Sequence, residues 1–222
     1  MERPPGRGPS DRGTIMRDHG AHRSIIRSEL DVKRWLEAPP SVAAVRPGQC
    51  PGCGGAGSQP GRPLGLQGHG LRERQLRGPG HPGEPPALVV VFVRRYRCQT
   101  CGAVMTVAPR ETATGRLYTL PAVAWALALF GVARLPETDV RRGTSPWRVV
   151  GAAAARRWQS LRRWVVAIGE RRLFSKLLRP PSGCSARQAA ERLAIAVAAH
   201  APPTLASLPL PARAFLGAVH AA

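Results

Sequence analysis

Arg94-Arg95-Tyr96-Arg97-Cys98-Gln99-Thr100-Cys101-Gly102, read together with Cys50-Pro51-Gly52-Cys53-Gly54, decides how this chain folds. Each stretch contains Cys-x-x-Cys-Gly. That spacing brings two thiolates to one side of a tight turn, which the glycine closes by taking a left-handed conformation. Two such turns facing each other supply four sulfurs in a tetrahedral array with no position open to a substrate. This is the donor set of a structural Zn²⁺ site, with Cys50, Cys53, Cys98 and Cys101 as ligands. The segment from Gly54 to Arg97 exceeds the roughly 15–20 residues of compact paired Cys-x-x-Cys sites. Strands can fill it, because loop-closure cost grows only with the logarithm of length.

Other uses of these cysteines fit less well. A redox Cys-x-x-Cys stands alone beside a βαβ pattern, and here there are two without one. Disulfides need a secreted chain, and no signal peptide is visible. Catalytic zinc keeps three protein ligands and a water. His69 is a loop residue rather than a ligand, since four sulfurs already complete the shell. Cys184 is left over as a free thiol.

The 222 residues allow one or two small domains. Net charge is +20, from 33 basic against 13 acidic residues. Lys33 and Lys176 are the only lysines, so nearly all of this is arginine. Part of that bias, like the abundance of Ala, Gly and Pro, is of the kind a GC-rich genome imposes. The remaining excess favours a polyanionic partner, of which nucleic acid is the commonest. A membrane is the competing polyanion. The longest apolar run, Ala122 to Ala133, stops at Arg134 and is too short to span a bilayer. The expected location is the cytoplasm, which suits reduced thiols, and no small-molecule substrate is evident.

Outward from the cysteines, the expected fold class is α+β. A small β zinc ribbon (46–110) precedes a helix-turn-helix-like helical domain (117–178). Residues 1–23, poor in apolar side chains, read as a disordered basic tail. Residues 24–45 read as a short helix (Ser28 to Glu37, with Ser28 as N-cap) and a linker begun by Ala38-Pro39-Pro40. Within the ribbon, Leu64 to Gln67 and Leu71 to Leu76 are candidate strands about a Gly68-His69-Gly70 turn. Ala87 to Tyr96 is the clearest strand, its continuous apolar run indicating that both faces are covered. Ala103 to Val107 leaves the second cysteine turn as its hairpin partner. Arg94, Arg95 and Arg97 sit on the rim beside the metal, either contacting phosphate or solvating an exposed edge strand.

From Tyr118 the apolar period lengthens to that of a helix. Leu120 to Phe130 is an apolar helix with Pro121 in its first turn. Pro136 to Arg142 is a second, with acids first, arginines last and Gly143 past its end. Ser145-Pro146 opens a third helix to Gly169. Val150, Ala154, Trp158, Leu161, Val165 and Ile168 share its inner face, and Arg148, Arg156, Gln159, Ser160 and Arg163 lie opposite. Two helices joined by a tight turn form a helix-turn-helix, whose later helix reads the major groove of DNA. The same spacing also describes a helical bundle whose arginines only keep it soluble. Residues 179–222 read as an Ala/Pro-rich tail with one helix, Ser185 to His200.

The run from Cys50 to Gly169 resembles the N-terminal part of bacterial insertion-sequence transposases and related uncharacterised zinc-ribbon proteins. The likeness rests on Cys-Pro-x-Cys-Gly, Gly-His-Gly among arginines, Arg-Arg-Tyr-Arg-Cys-x-x-Cys-Gly and the Trp158 to Trp164 segment. It implies recognition of double-stranded DNA ends ahead of a catalytic domain bearing three carboxylates. Such chemistry needs carboxylates held on a rigid sheet, and Glu170 and Glu191 lie on no credible strand. The chain is therefore expected to be no enzyme but a DNA-binding accessory, regulator or remnant of a mobile element. Its protein partner would be a transposase or a further copy of itself. Two other classes stay open: a zinc-ribbon protein-interaction adaptor, and an RNA-binding protein. The second is disfavoured because the aromatic residues, 5% of the chain, form no exposed stacking platform on strands.

Overall fold

The structure is a computed structural model that describes residues 24–153 and 158–222. The expected N-terminal tail, and Ala154 and Arg156 of the expected third helix, lie outside the described residues. The class is α+β. The elements are β1 (Ser24–Arg27), α1 (Val32–Glu37), β2 (Leu66–Gly78), β3 (Ala87–Cys98), β4 (Val104–Ala108), α2 (Leu120–Gly131), α3 (Glu137–Arg142), α4 (Gln159–Gly169), α5 (Ala186–Ala198) and α6 (Leu210–Gly217). The four strands form one sheet in the order β1-β4-β3-β2, with β1 parallel to β4 and the other pairs antiparallel. One apolar cluster lies on the sheet around Trp35, Tyr96 and Met105, and another lies among the helices around Leu127, Trp164 and Leu193.

The first helix is shorter than expected, with Asp31 rather than Ser28 as its cap: Asp31 Oδ1 accepts from the Arg34 N–H. The Ser28 hydroxyl is engaged elsewhere, donating to the Leu30 carbonyl and accepting from Trp35 Nε1. Strand β1 was not expected. Four residues cannot display a period, and the partner β4 lies far along the chain. Residues 38–45 are strapped to the sheet: Arg94 Nε donates to the Pro40 carbonyl at 2.6 Å and Tyr96 Oη to the Val42 carbonyl at 2.7 Å.

The sheet differs from expectation in two ways. Gly68-His69-Gly70 is no turn between strands. It is an irregularity inside the single strand β2, where the pairing with β3 shifts between Gly68 and Leu71 and one extra residue bulges out. Nor is β3 covered on both faces. Val91 and Val93 are buried while Val90 and Phe92 are exposed, and the buried set then changes parity to Tyr96 and Cys98. The twisted sheet therefore buries opposite faces at its two ends, which a run of apolar residues cannot reveal.

In the helical half, α2 is capped by the Thr119 side chain and buried almost all round. That burial explains its lack of a polar stripe. Helices α5 and α6 pack directly against α2, so residues 186–217 belong to the core rather than to a tail. Gly131 permits the approach of α2 to α5 and Gly217 that of α6 to α5, because a Cβ would overlap the backbone of Glu191 or the Val197 carbonyl, respectively.

Among the described residues, only the second part of the expected third helix, Gln159–Gly169, is α-helical. The Ser145 hydroxyl accepts from Tyr118 Oη at 3.0 Å and from the Trp147 N–H at 3.4 Å, but no α-helix follows it directly. The chain from Gly143 to Ala153 contains turns and one short 3₁₀ segment. Helix α4 begins only at Gln159, with the Trp158 N–H donating to Glu137 Oε2 at 2.7 Å. Helices α3 and α4 are thus not joined by a tight turn, and Arg148 lies on a connection rather than a reading helix. Of the expected inner face, Trp158, Leu161 and Ile168 are buried, whereas Val150 is 72% exposed.

Candidate metal centre

Two backbone turns of matching hydrogen-bond pattern build the site. In the first, the Gly54 N–H donates to the Cys50 carbonyl at 2.8 Å and the Cys50 N–H to the Gly55 carbonyl at 2.8 Å. In the second, the Gly102 N–H donates to the Cys98 carbonyl at 3.0 Å and the Cys98 N–H to the Ala103 carbonyl at 2.9 Å. Gly54 and Gly102 take φ of 71° and 73°, the left-handed conformation expected of the residue after each Cys-x-x-Cys. The Gln49–Ala56 bridge closes the base of the first turn, and β3 and β4 flank the second.

The four sulfurs converge within 4.8 Å of one another. Cys50 Sγ lies 3.7 Å from Cys101 Sγ, and Cys53 Sγ lies 3.7 Å from Cys98 Sγ. These are not disulfides, whose sulfurs are about 2.05 Å apart. They match the roughly 3.8 Å edge of a tetrahedron whose corners lie about 2.3 Å from a central ion. Cys50 and Cys98 are buried and Cys53 and Cys101 face solvent, while Cys184 stands outside the cluster, half-buried.

The electrostatics fit a cation. Burial opposes ionisation of Cys98, but the N–H groups of Cys101 and Thr100 and the neighbouring thiols bring it down to about 6. Cys53 moves the other way: the Gly55 amide favours its thiolate, yet the sulfurs of Cys101 and Cys98 push it up to about 12. Cys101 is raised as well; the Ala103 amide favours its thiolate, but loss of hydration and the sulfurs of Cys98 and Cys50 outweigh it. The Cys98 sulfur is ready to ionise, and those of Cys53 and Cys101 resist. Cys50, Cys53, Cys98 and Cys101 could hold a divalent ion, which would remove that resistance because each thiolate would face positive charge.

Gly102 gives a direct check on the turn. No atom lies within 4 Å of the Cβ that alanine would add, so Gly102→Ala tests conformation alone. It should lower stability by about 1–2 kcal/mol in urea titration, the cost of a left-handed residue bearing a side chain.

The basic residues expected to touch DNA are divided between places. Arg95 and Arg97 share one face of the sheet with Gln67, which pairs directly opposite Arg97. Arg94 points to the other face and holds the 38–42 segment. Gln159 and Arg163 are exposed, one turn apart on α4, and Arg148 is exposed on the connection before it. The sequence did not signal the contact of Arg77, whose guanidinium lies 5.6 Å over the Trp147 ring. That contact joins the two halves of the chain, and no local spacing signals it. Comparison with protein-family models, curated proteins and solved structures returned no match.

Proposed function

We propose that this chain is a zinc-ribbon DNA-binding protein of the insertion-sequence transposase type that lacks a catalytic domain. It serves as an accessory or regulator of a mobile element. Cys50, Cys53, Cys98 and Cys101 hold one Zn²⁺, whose preference for four thiolates in a closed tetrahedron suits this donor set. The ion is structural: it pins the turn between β3 and β4 and fixes the arginines beside it.

The observation that carries the DNA reading is the open ribbon face bearing Gln67, Arg95 and Arg97. Among the described residues, neither arginine meets a carboxylate. Guanidinium groups without acidic partners, beside a rigid metal knuckle in a chain of net charge +20, suit the phosphates of a duplex. Arg163 and Gln159 on α4 offer a second contact. A non-enzymatic role is supported by the scatter of the acids, several of which are paired: Glu37 with Arg34, Asp139 with Arg142, Glu191 with Arg134 and Glu137 with Arg162.

The test is fluorescence anisotropy with duplex DNA over a salt series. Replacing Arg95 and Arg97 together by Ala should lower the slope of log K against log salt by about two, one for each phosphate that an arginine neutralises. An unchanged slope removes the ribbon face from the DNA interface. An adaptor for proteins would show no salt-dependent retention on DNA at all.

A further inference from the structure

Beyond its bulge, the β2–β3 hairpin carries a second open face that the cysteine site does not use. Its register pairs Leu71 with Arg94, Glu73 with Phe92, Gln75 with Val90 and Arg77 with Leu88, and directly opposed residues share a face. Phe92 and Val90 are each 44% exposed and Leu71 is 43% exposed, while the reverse face buries Val91 and Val93. At the end of the strip, Arg77 lies over the ring of Trp147, itself 51% exposed, and Arg148 beside it is exposed too. The Arg77 guanidinium is held there, donating through Nη2 to Gln75 Oε1.

The strip therefore offers two open aromatic rings with arginines at both ends and one carboxylate, Glu73, between them. Glu73 faces Phe92, and Arg77 lies four residues further along β2. At the rise of a strand this sets the Glu73–Phe92 pair about 13 Å from Arg77 along the sheet, so Phe92 and the ring under Arg77 are separate stacking positions. Duplex DNA keeps its bases stacked inside and has no use for exposed rings. A single strand presents base faces to aromatics and phosphates to arginines. The charge around the strip complements such a strand, and the rings supply the exposed platform that the sequence did not reveal.

We propose that this face binds single-stranded nucleic acid, with bases stacked on Phe92 and Trp147 and phosphates facing Arg77, Arg94 and Arg148. The site goes beyond the duplex contact at the cysteine end, though it rests equally on a nucleic-acid partner. The experiment uses the full, zinc-loaded chain with fluorescein-labelled oligo-dT and, in parallel, a labelled duplex. Phe92→Ala and Trp147→Ala should each weaken oligo-dT binding by about fivefold or more, the worth of a stacked base, and leave duplex binding unchanged. Phe92→Leu, which keeps apolar area but removes the ring, should weaken it similarly, and Glu73→Gln should tighten it. If both alanine variants bind oligo-dT like the parent, the platform is overturned while the duplex reading stands. If neither probe binds, both readings fall. If the parent chain is a dimer that Phe92→Arg dissociates, the strip belongs to a second copy and the proposal is overturned.

Discussion

Cys98→Ser is expected to abolish metal binding and to unfold the ribbon while the helical half stays folded. Cys98 ends β3, is buried, and stands 3.7 Å from Cys53 across the cluster. A serine hydroxyl there is a far weaker ligand for a soft-ligand site. The energy at stake is large. Structural zinc contributes about 10–16 kcal/mol of apparent binding energy, comparable with the whole stability of a domain. Little else fixes the first knuckle: residues 51–54 are exposed, and the turn meets the second one chiefly through sulfur. The parent protein, purified reduced, should carry one equivalent of zinc by elemental analysis, and the variant none. Limited proteolysis should then cut between residues 46 and 110 while α2 to α6 resist. Cys184→Ser, outside the cluster, should keep the metal. Reduced parent protein that retains no metal would sink the assignment.

What could be read from the sequence and what could not separate along a physical line. Features specified by a few adjacent residues were legible. Both Cys-x-x-Cys-Gly turns form as expected, β3 and β4 make the hairpin around the second, and α2 and α5 fall close to their expected limits because caps and prolines mark them. Features specified by distant partners were not. Ser145-Pro146 has the local form of a helix start, but a tyrosine from before α2 takes the serine hydroxyl. The two glycines of Gly68-His69-Gly70 suggest a turn, yet pairing with β3 continues on both sides and absorbs them as a bulge. Residues 179–222 look low in complexity because alanines form the contacts of α5 and α6 with α2, and small residues give close packing without a strong apolar pattern. The clustering of the four cysteines was legible for the first reason, and the open strip with Phe92 and Trp147 was hidden for the second.

Trp164→Ala should do the reverse of Cys98→Ser, destabilising the helices and sparing the metal. Trp164 is 2% exposed, and its ring stands edge-on to both Tyr118 and Trp158 with centroids 5.0 Å apart in each pair. Truncating a buried aromatic to alanine costs about 3–5 kcal/mol. Each edge-to-face pair removed adds about 0.5–1.5 kcal/mol beyond buried area, so the upper part of that range is expected. Tyr118 would also lose one side of its packing while its hydroxyl stays bound to Ser145. That bond holds the 143–150 connection, so the accessibility of Trp147 to quenchers should change little. Trp164→Phe, which keeps an aromatic ring, should cost much less. Urea unfolding followed by circular dichroism measures the loss, and zinc stoichiometry at low urea should remain one, because the residues around the sulfurs belong to the other apolar cluster. The halves do touch: backbone bonds join Arg77 to Leu117 and Thr119, and Gly78 lies against Ala122. If zinc is released at the same urea concentration at which the weakened helices melt, those contacts make one cooperative unit. If it is released later, the ribbon stands alone. A loss below about 1 kcal/mol in Trp164→Ala would mean that the three rings do not hold the helical core together.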